Sequence, residues 1–229
     1  MKKVLFLGLL SLSLWGEGRV LYRMDFSTLP DGDVKQRLAS KGFELLLDAD
    51  KLHPRIDQGR LELSTDGTYA GIVGVRFKKP LENVASVVID WGVEKFPKGA
   101  DWEHGNNRLA LGALIALGTK KFSSGIPFTK KAPYFLGPFI GQKEKRGKVY
   151  LGKLYRQSGR YYCVSNKKGR VRTRFDIEGT FQEAFGKPTP PVVAYGFQMN
   201  TKDTIGGAKA FIRSITFYAK PRTTKEKEQ

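Results

Sequence analysis

Cysteine is almost missing from this chain: Cys163 is the only one in 229 residues. An intramolecular disulfide is thereby excluded, and stability has to come from packing. No cysteine follows the apolar N-terminal run, which rules out lipoprotein-type acylation there. Cys163 itself sits among Tyr161, Tyr162 and Val164, a setting for a buried inert thiol rather than a nucleophile. Histidine is as scarce; His53 and His104 lie far apart, and neither belongs to a spaced metal motif. No hydrophobic run reaches the roughly 20 residues of a membrane helix. There is no G-x-S-x-G elbow, no Gly-rich phosphate loop, no internal repeat and no E-x-D-x-x-E strand signature of jelly-roll glucanases. Acids are short too: 22 Asp+Glu face 40 Lys+Arg, for a net charge of +18.

That charge is concentrated. Residues 141–174 hold twelve basic side chains, and Glu144 is the only acid among them, so this stretch carries more than half of the net charge. The N-terminus sets the context in which such a patch works. Lys2 and Lys3 precede an apolar run over residues 4–15, broken only by Gly8, Ser11 and Ser13, as in a secretory signal. Ser13, Gly16 and Gly18 offer cleavage points, although the A-x-A pattern is missing; the competing reading is a buried strand or an uncleaved anchor. The expected organisation is a leader over residues 1–18, one exported domain over 19–219, periplasmic or secreted, and a disordered polar tail over 220–229. Outside the cytosol the anions within reach are acidic glycans, phosphorylated envelope polymers and lipid headgroups at a membrane surface. Nucleic acid is not an expected partner, and no cofactor is implied. The competing reading of the charge is a solvated Lys-rich surface that keeps the protein in solution. Oligomeric state is not legible.

Gly and Pro, 26 and 11 in number, punctuate short segments in which β-branched and aromatic residues alternate with polar ones. Strands are predicted at residues 60–64, 71–77, 85–93, 109–117, 192–199 and 209–218. Residues 149–156 and 160–165 flank Gln157-Ser158-Gly159, a loop suited to a hairpin. Residues 170–175 alternate strictly, with Val171, Thr173 and Phe175 on one side and Arg170, Arg172 and Arg174 on the other. Strand side chains alternate between faces, so three guanidinium groups are expected to project from one surface about 7 Å apart. One short helix is expected, with Thr180 and Glu183 as a capping box, Phe181 and Phe185 on one face, and Gly186 then Pro188 at its end. The predicted fold class is all-β: a two-sheet antiparallel β-sandwich of the jelly-roll kind.

Several stretches taken together resemble an exported bacterial family, domain of unknown function 3047. They are Asp25-Phe26 with residues 29–32, residues 89–93 with 96–101, Phe185-Gly186 with Pro190-Pro191, and residues 196–204 continuing through 207–211 to 215–217. The resemblance implies a β-sandwich similar to galactose-binding and carbohydrate-binding modules, and it implies no reaction. The chain departs from the family before Thr204, where Asn200 and Lys202 stand in place of expected carboxylates. A Ca²⁺ site at Asn200 and Asp203 is depleted of oxygen ligands, and a capped turn is the preferred reading there.

The leading functional reading is a noncatalytic protein that binds an anionic polysaccharide or envelope polymer. Arg170, Arg172 and Arg174 are its expected contacts, helped by Lys148, Lys153 and Arg156, because guanidinium forks match carboxylate and phosphate oxygens in pairs. Trp102, in a polar loop, is the expected stacking residue, with Tyr134, Phe135, Tyr155, Tyr161 and Tyr162 as further candidates; Trp91 is expected in the core. The rival reading is a polysaccharide hydrolase or lyase with Asp101, Glu103 and His104 as acid and base, Asp90 and Glu94 being the other candidate carboxylate pair. A third is a structural envelope protein docked on anionic lipid or an acidic partner.

Overall fold

The computed structural model describes residues 18–127 and 129–220. The leader expected over residues 1–18 and the tail expected over 220–229 lie outside the described residues, apart from Gly18 and Lys220. In chain order the elements are β1 (Val20–Asp25), β2 (Gly32–Asp33), α1 (Lys35–Ser40), β3 (Phe43–Leu47), β4 (Arg55–Asp57), β5 (Arg60–Thr65), β6 (Ala70–Leu81) and β7 (Val84–Lys95). There follow β8 (Leu109–Phe122), β9 (Ala132–Ile140), β10 (Val149–Tyr150), β11 (Gly159–Ser165), β12 (Gly169–Asp176), α2 (Ile177–Phe185), β13 (Val192–Asn200) and β14 (Ala208–Ala219). Among the described residues the strands form two seven-stranded sheets. The first runs β12-β7-β14-β5-β4-β2, with β1 pairing the half of β14 that β5 leaves; the second runs β10-β11-β9-β8-β13-β6-β3.

Period-2 alternation decides which side chains lie between the sheets. Trp91, Ile89 and Val87 of β7 meet Ile215 and Phe217 of β14 and Phe197 of β13 in one core. Trp91 is fully buried, as expected, and its indole N–H donates to Thr173 Oγ1 at 3.1 Å, so the ring's polar edge is satisfied inside the core. The all-β sandwich agrees with the predicted class.

Four local readings need correction. The sheets are not wholly antiparallel, because β11 runs parallel to β9. The expected hairpin is not built around residues 157–159: β10 is two residues long, and residues 151–158 all lie in the connection to β11. Gly159 serves close approach rather than a turn, since a Cβ there would lie 2.1 Å from the Phe135 ring. The cap of helix α2 lies four residues before the expected one: Asp176 ends β12 and its carboxylate accepts the Gly179 N–H at 3.0 Å. Thr180 lies inside the helix, whose apolar face is Ile177, Phe181 and Phe185; Gly186 ends it at φ +62°, as expected. The single short helix also has a companion, α1.

Candidate functional site

Strand β12 is an edge of the first sheet, and its arginines stand as the alternation predicts. Arg170, Arg172 and Arg174 are exposed, while Thr173 and Phe175 turn into the protein. Register sets them opposite Gly92, Asp90 and Val88 of β7. Arg170 closes a two-pronged pair on Asp90, with Nε to Oδ1 at 2.8 Å and Nη2 to Oδ2 at 2.6 Å. Arg174 donates to Ser86 Oγ at 3.0 Å and lies over the Tyr218 ring at 5.2 Å.

Further cations share that outer face. Lys209 stands between core-facing Ala208 and Ala210, so it points outward, in register with Lys95 on one side and Ser64 on the other. Like charges directly opposite repel, and here carboxylates separate them: Lys95 reaches Asp66 at 3.1 Å and Lys209 reaches Glu94 at 2.9 Å. Burial pushes the Glu94 carboxyl up; hydrogen bonds from Lys209 and Arg60 outweigh it and hold the group below its ordinary value. Arg60 in turn lies 4.6 Å over Phe211, whose ring occupies the space left by Gly92, where a Cβ would come within 2.5 Å.

Where β5, β7 and β14 meet, the face ends in an open cleft of about 480 Å³ lined by His53, Ser64, Thr65, Tyr69, Lys95 and Lys209 among others. Its volume suits a small ligand or the end of a chain; Tyr69, half-buried against the main core, lines it together with Lys95, Lys209 and the exposed Asp66 carboxylate that Lys95 pairs with. The sequence reading missed this place. No motif marks it, because its residues come from four segments that only the strand register brings together.

Trp102 is not where a ligand can use it. It is 6% exposed, 4.7 Å from the Tyr161 ring, 5.1 Å from Phe139 and 5.8 Å from Tyr150, with its indole N–H donated to the Arg108 carbonyl at 2.9 Å. The cause lies on β9. Leu136 and Ile140 face the main core, so Phe139 points out of the second sheet and needs a cover, which Trp102, Tyr150, Leu109 and Cys163 provide as a second small core. Tyr161 belongs to the same cover, and burial raises its hydroxyl pKa. Tyr134 and Tyr162 pack on the main core, and Phe135 is buried beside Tyr155 and Tyr161. The expected aromatic platform is therefore cover and core.

The same loop holds the residues of the catalytic alternative. Asp101 Oδ2 lies 2.9 Å from His104 Nδ1 and 3.7 Å from Lys143 Nζ. Glu103 accepts from the Tyr150 hydroxyl at 2.5 Å and pairs with Lys148. The His104 bond holds the Asp101 carboxyl below its ordinary value, and the Lys148 bond does the same to Glu103. A general acid has to keep its proton near neutral pH, and both groups are pushed the other way. Glu144 is buried, and its carboxylate accepts the N–H groups of Trp102, Gln142 and Lys143, which ties the two covering loops together.

The expected ligand set is thus divided between opposite sides of the sandwich. Arg170, Arg172 and Arg174 stand on the first sheet, whereas Lys148 and Trp102 belong to the cover of the second. Lys153 lies near Asp203, whose carboxyl is held low first by Arg108 and, more weakly, by Lys153; Arg156 stands in the same connection as Lys153. Asn200 Oδ1 accepts the Lys202 N–H at 3.1 Å and Asp203 pairs with Arg108, so both act in a turn. Among the described residues no group of three His, Cys, Asp or Glu side chains is placed to hold a metal ion.

No protein-family model and no curated protein matches the chain. Among solved structures it is similar to the carbohydrate recognition domain of Emp46p, at 9% identity over 88% of this chain and 98% of that one, with a TM-score of 0.48. It is also similar to a low-affinity xylan binding module, CBM86, from Roseburia intestinalis, at 13% identity over 78% and 96% with a TM-score of 0.34. A third similar structure is the K1 cleaved adhesin domain of Lys-gingipain from Porphyromonas gingivalis W83, at 8% identity over 87% and 98% with a TM-score of 0.41.

Proposed function

We propose that this protein is an exported, noncatalytic β-sandwich that binds an anionic glycan along the outer face of its first sheet. The observation that carries this reading is that the three β12 arginines share that face with Lys95, Lys209 and the cleft holding Tyr69. From the Arg174 position, opposite Val88, to Lys95 the path along β7 runs about 23 Å at the usual rise per residue. An extended polymer would meet a row of guanidinium groups, with Arg170 already paired to Asp90, and then a pocket in which a terminal ring packs on Tyr69. Tyr69 takes the stacking role expected of Trp102, and Lys95 and Lys209 replace Lys148, Lys153 and Arg156.

An array of acidic and neutral glycans, read at two ionic strengths with parent and Arg172→Glu protein, tests the proposal. Acidic glycans should be retained by the parent, released as salt rises, and held at least several-fold more weakly by the variant. Equal retention of parent and variant, or a preference for neutral glycans, overturns it.

A further inference from the structure

The opposite side of the domain carries a different kind of surface. Ile126, Leu151 and Leu154 are 51%, 42% and 37% exposed. They stand in two loops that are clasped together: the Tyr155 N–H donates to the Ser124 carbonyl at 2.9 Å, and the Tyr155 hydroxyl donates to the Lys130 carbonyl at 2.6 Å. Gly152 lies against Tyr161, so the Leu151–Leu154 segment crosses the outer side of the second sheet, over its aromatic cover.

These aliphatic side chains are set among cations. Lys130, Lys148, Lys153 and Arg156, in or beside the same two loops, are exposed, as are Lys145 and Arg146 before β10. Residues 104–175 contain one acid, Glu144, and it is 2% exposed and turned inward. The neighbouring acids are engaged: Glu103 by Lys148 and Tyr150, Asp101 by His104 and Lys143, and Asp203 by Arg108. The first sheet differs in that Asp90 and Glu94 stand within its row of cations, paired with Arg170 and with Arg60 and Lys209.

We propose that this side of the domain docks on an anionic lipid bilayer, with Ile126, Leu151 and Leu154 entering the headgroup region and the surrounding Lys and Arg side chains on lipid phosphates. A soluble polyanion rewards the cations and gives nothing to three exposed aliphatics. A charged bilayer rewards both, because its phosphate plane lies directly above an apolar layer. Among the described residues no helix is long and apolar enough to cross a membrane. The docking uses the side away from the β12 arginines, which leaves the proposed glycan face turned outward.

Flotation with vesicles of phosphatidylcholine alone, and of phosphatidylcholine with phosphatidylglycerol, tests this on the full mature chain. The parent should float with the anionic vesicles only. Lys153→Glu/Arg156→Glu and Leu151→Ser/Leu154→Ser should each lower the partition about tenfold or more, with thermal midpoints measured beside them because Leu151 and Leu154 are in part buried. Should the leucine pair prove unstable, Ile126→Ser provides the apolar test. Arg172→Glu should float like the parent, which separates this proposal from the glycan reading. Failure to float with anionic vesicles, or full flotation of the apolar variants, overturns it.

Discussion

Arg170 reaches diagonally across the β12–β7 pair to close a fork on the Asp90 carboxylate, at 2.8 and 2.6 Å. Asp90 thereby occupies the place a ligand carboxylate would take on that guanidinium. Asp90→Asn should free the fork and remove one repelling charge from the path. A unit charge about 6 Å from an incoming anion in water-like surroundings changes affinity about threefold. Titration calorimetry with an acidic oligosaccharide should therefore show tighter binding at low salt and a shrinking gain as salt rises. Unchanged affinity at low salt would remove Asp90 and Arg170 from the binding path.

Trp102→Ala separates cover from contact. The indole fills the space over Phe139 and satisfies the Arg108 carbonyl, so its loss should cost about 3–5 kcal/mol of stability, as for other buried aromatics cut to alanine. Glycan affinity of the folded variant should stay as in the parent, because the ring lies on the other sheet. A stable variant with lost binding would return Trp102 to the ligand.

The contrast between Trp91 and Trp102 shows what the sequence makes legible. Trp91 has Val87, Ile89 and Val93 at two-residue steps, a pattern that a strand buries on one face, and the β12 arginines follow from the same rule. Trp102 sits among Asp101, Glu103 and His104, and its local surroundings read as solvent. What buries it is Phe139, which turns outward only because Leu136 and Ile140 turn inward. The cleft was illegible for a related reason: Lys95 and Lys209 become neighbours through a register shift in the β14–β7 pair, where Glu94 is the extra residue of β7, and no local pattern encodes a pairing between distant segments. The start of α2 was misplaced because Asp176 both ends a strand and caps a helix, leaving no loop to mark the boundary.

Cys163 offers a check on the second core. Burial pushes its thiol up to about 11, so at pH 8 it is mostly protonated as well as inaccessible. Labelling by a thiol reagent should be negligible in the native protein and should rise with urea along the same transition as loss of tertiary fluorescence. Rapid labelling without denaturant would show that the cover over Phe139 opens on its own.

Acid should loosen the Trp102 loop in a defined direction. Asp101 and Glu103 have folded pKa values below their unfolded ones, chiefly through hydrogen bonds from His104 and Lys148 respectively. The folded state therefore binds fewer protons than the unfolded chain as these groups titrate. Their contribution to stability is complete above the unfolded carboxyl range near pH 4, declines as pH falls below it, and is gone once pH passes below the folded values. Removing the Lys148 charge takes away the first cause of the Glu103 shift, so Lys148→Gln should move the acid limb of loop opening to higher pH. The Trp102 indole resonance, followed by NMR during an acid titration of parent and variant, reads this directly. Coincident acid limbs would show that the Lys148–Glu103 pair does not hold the loop.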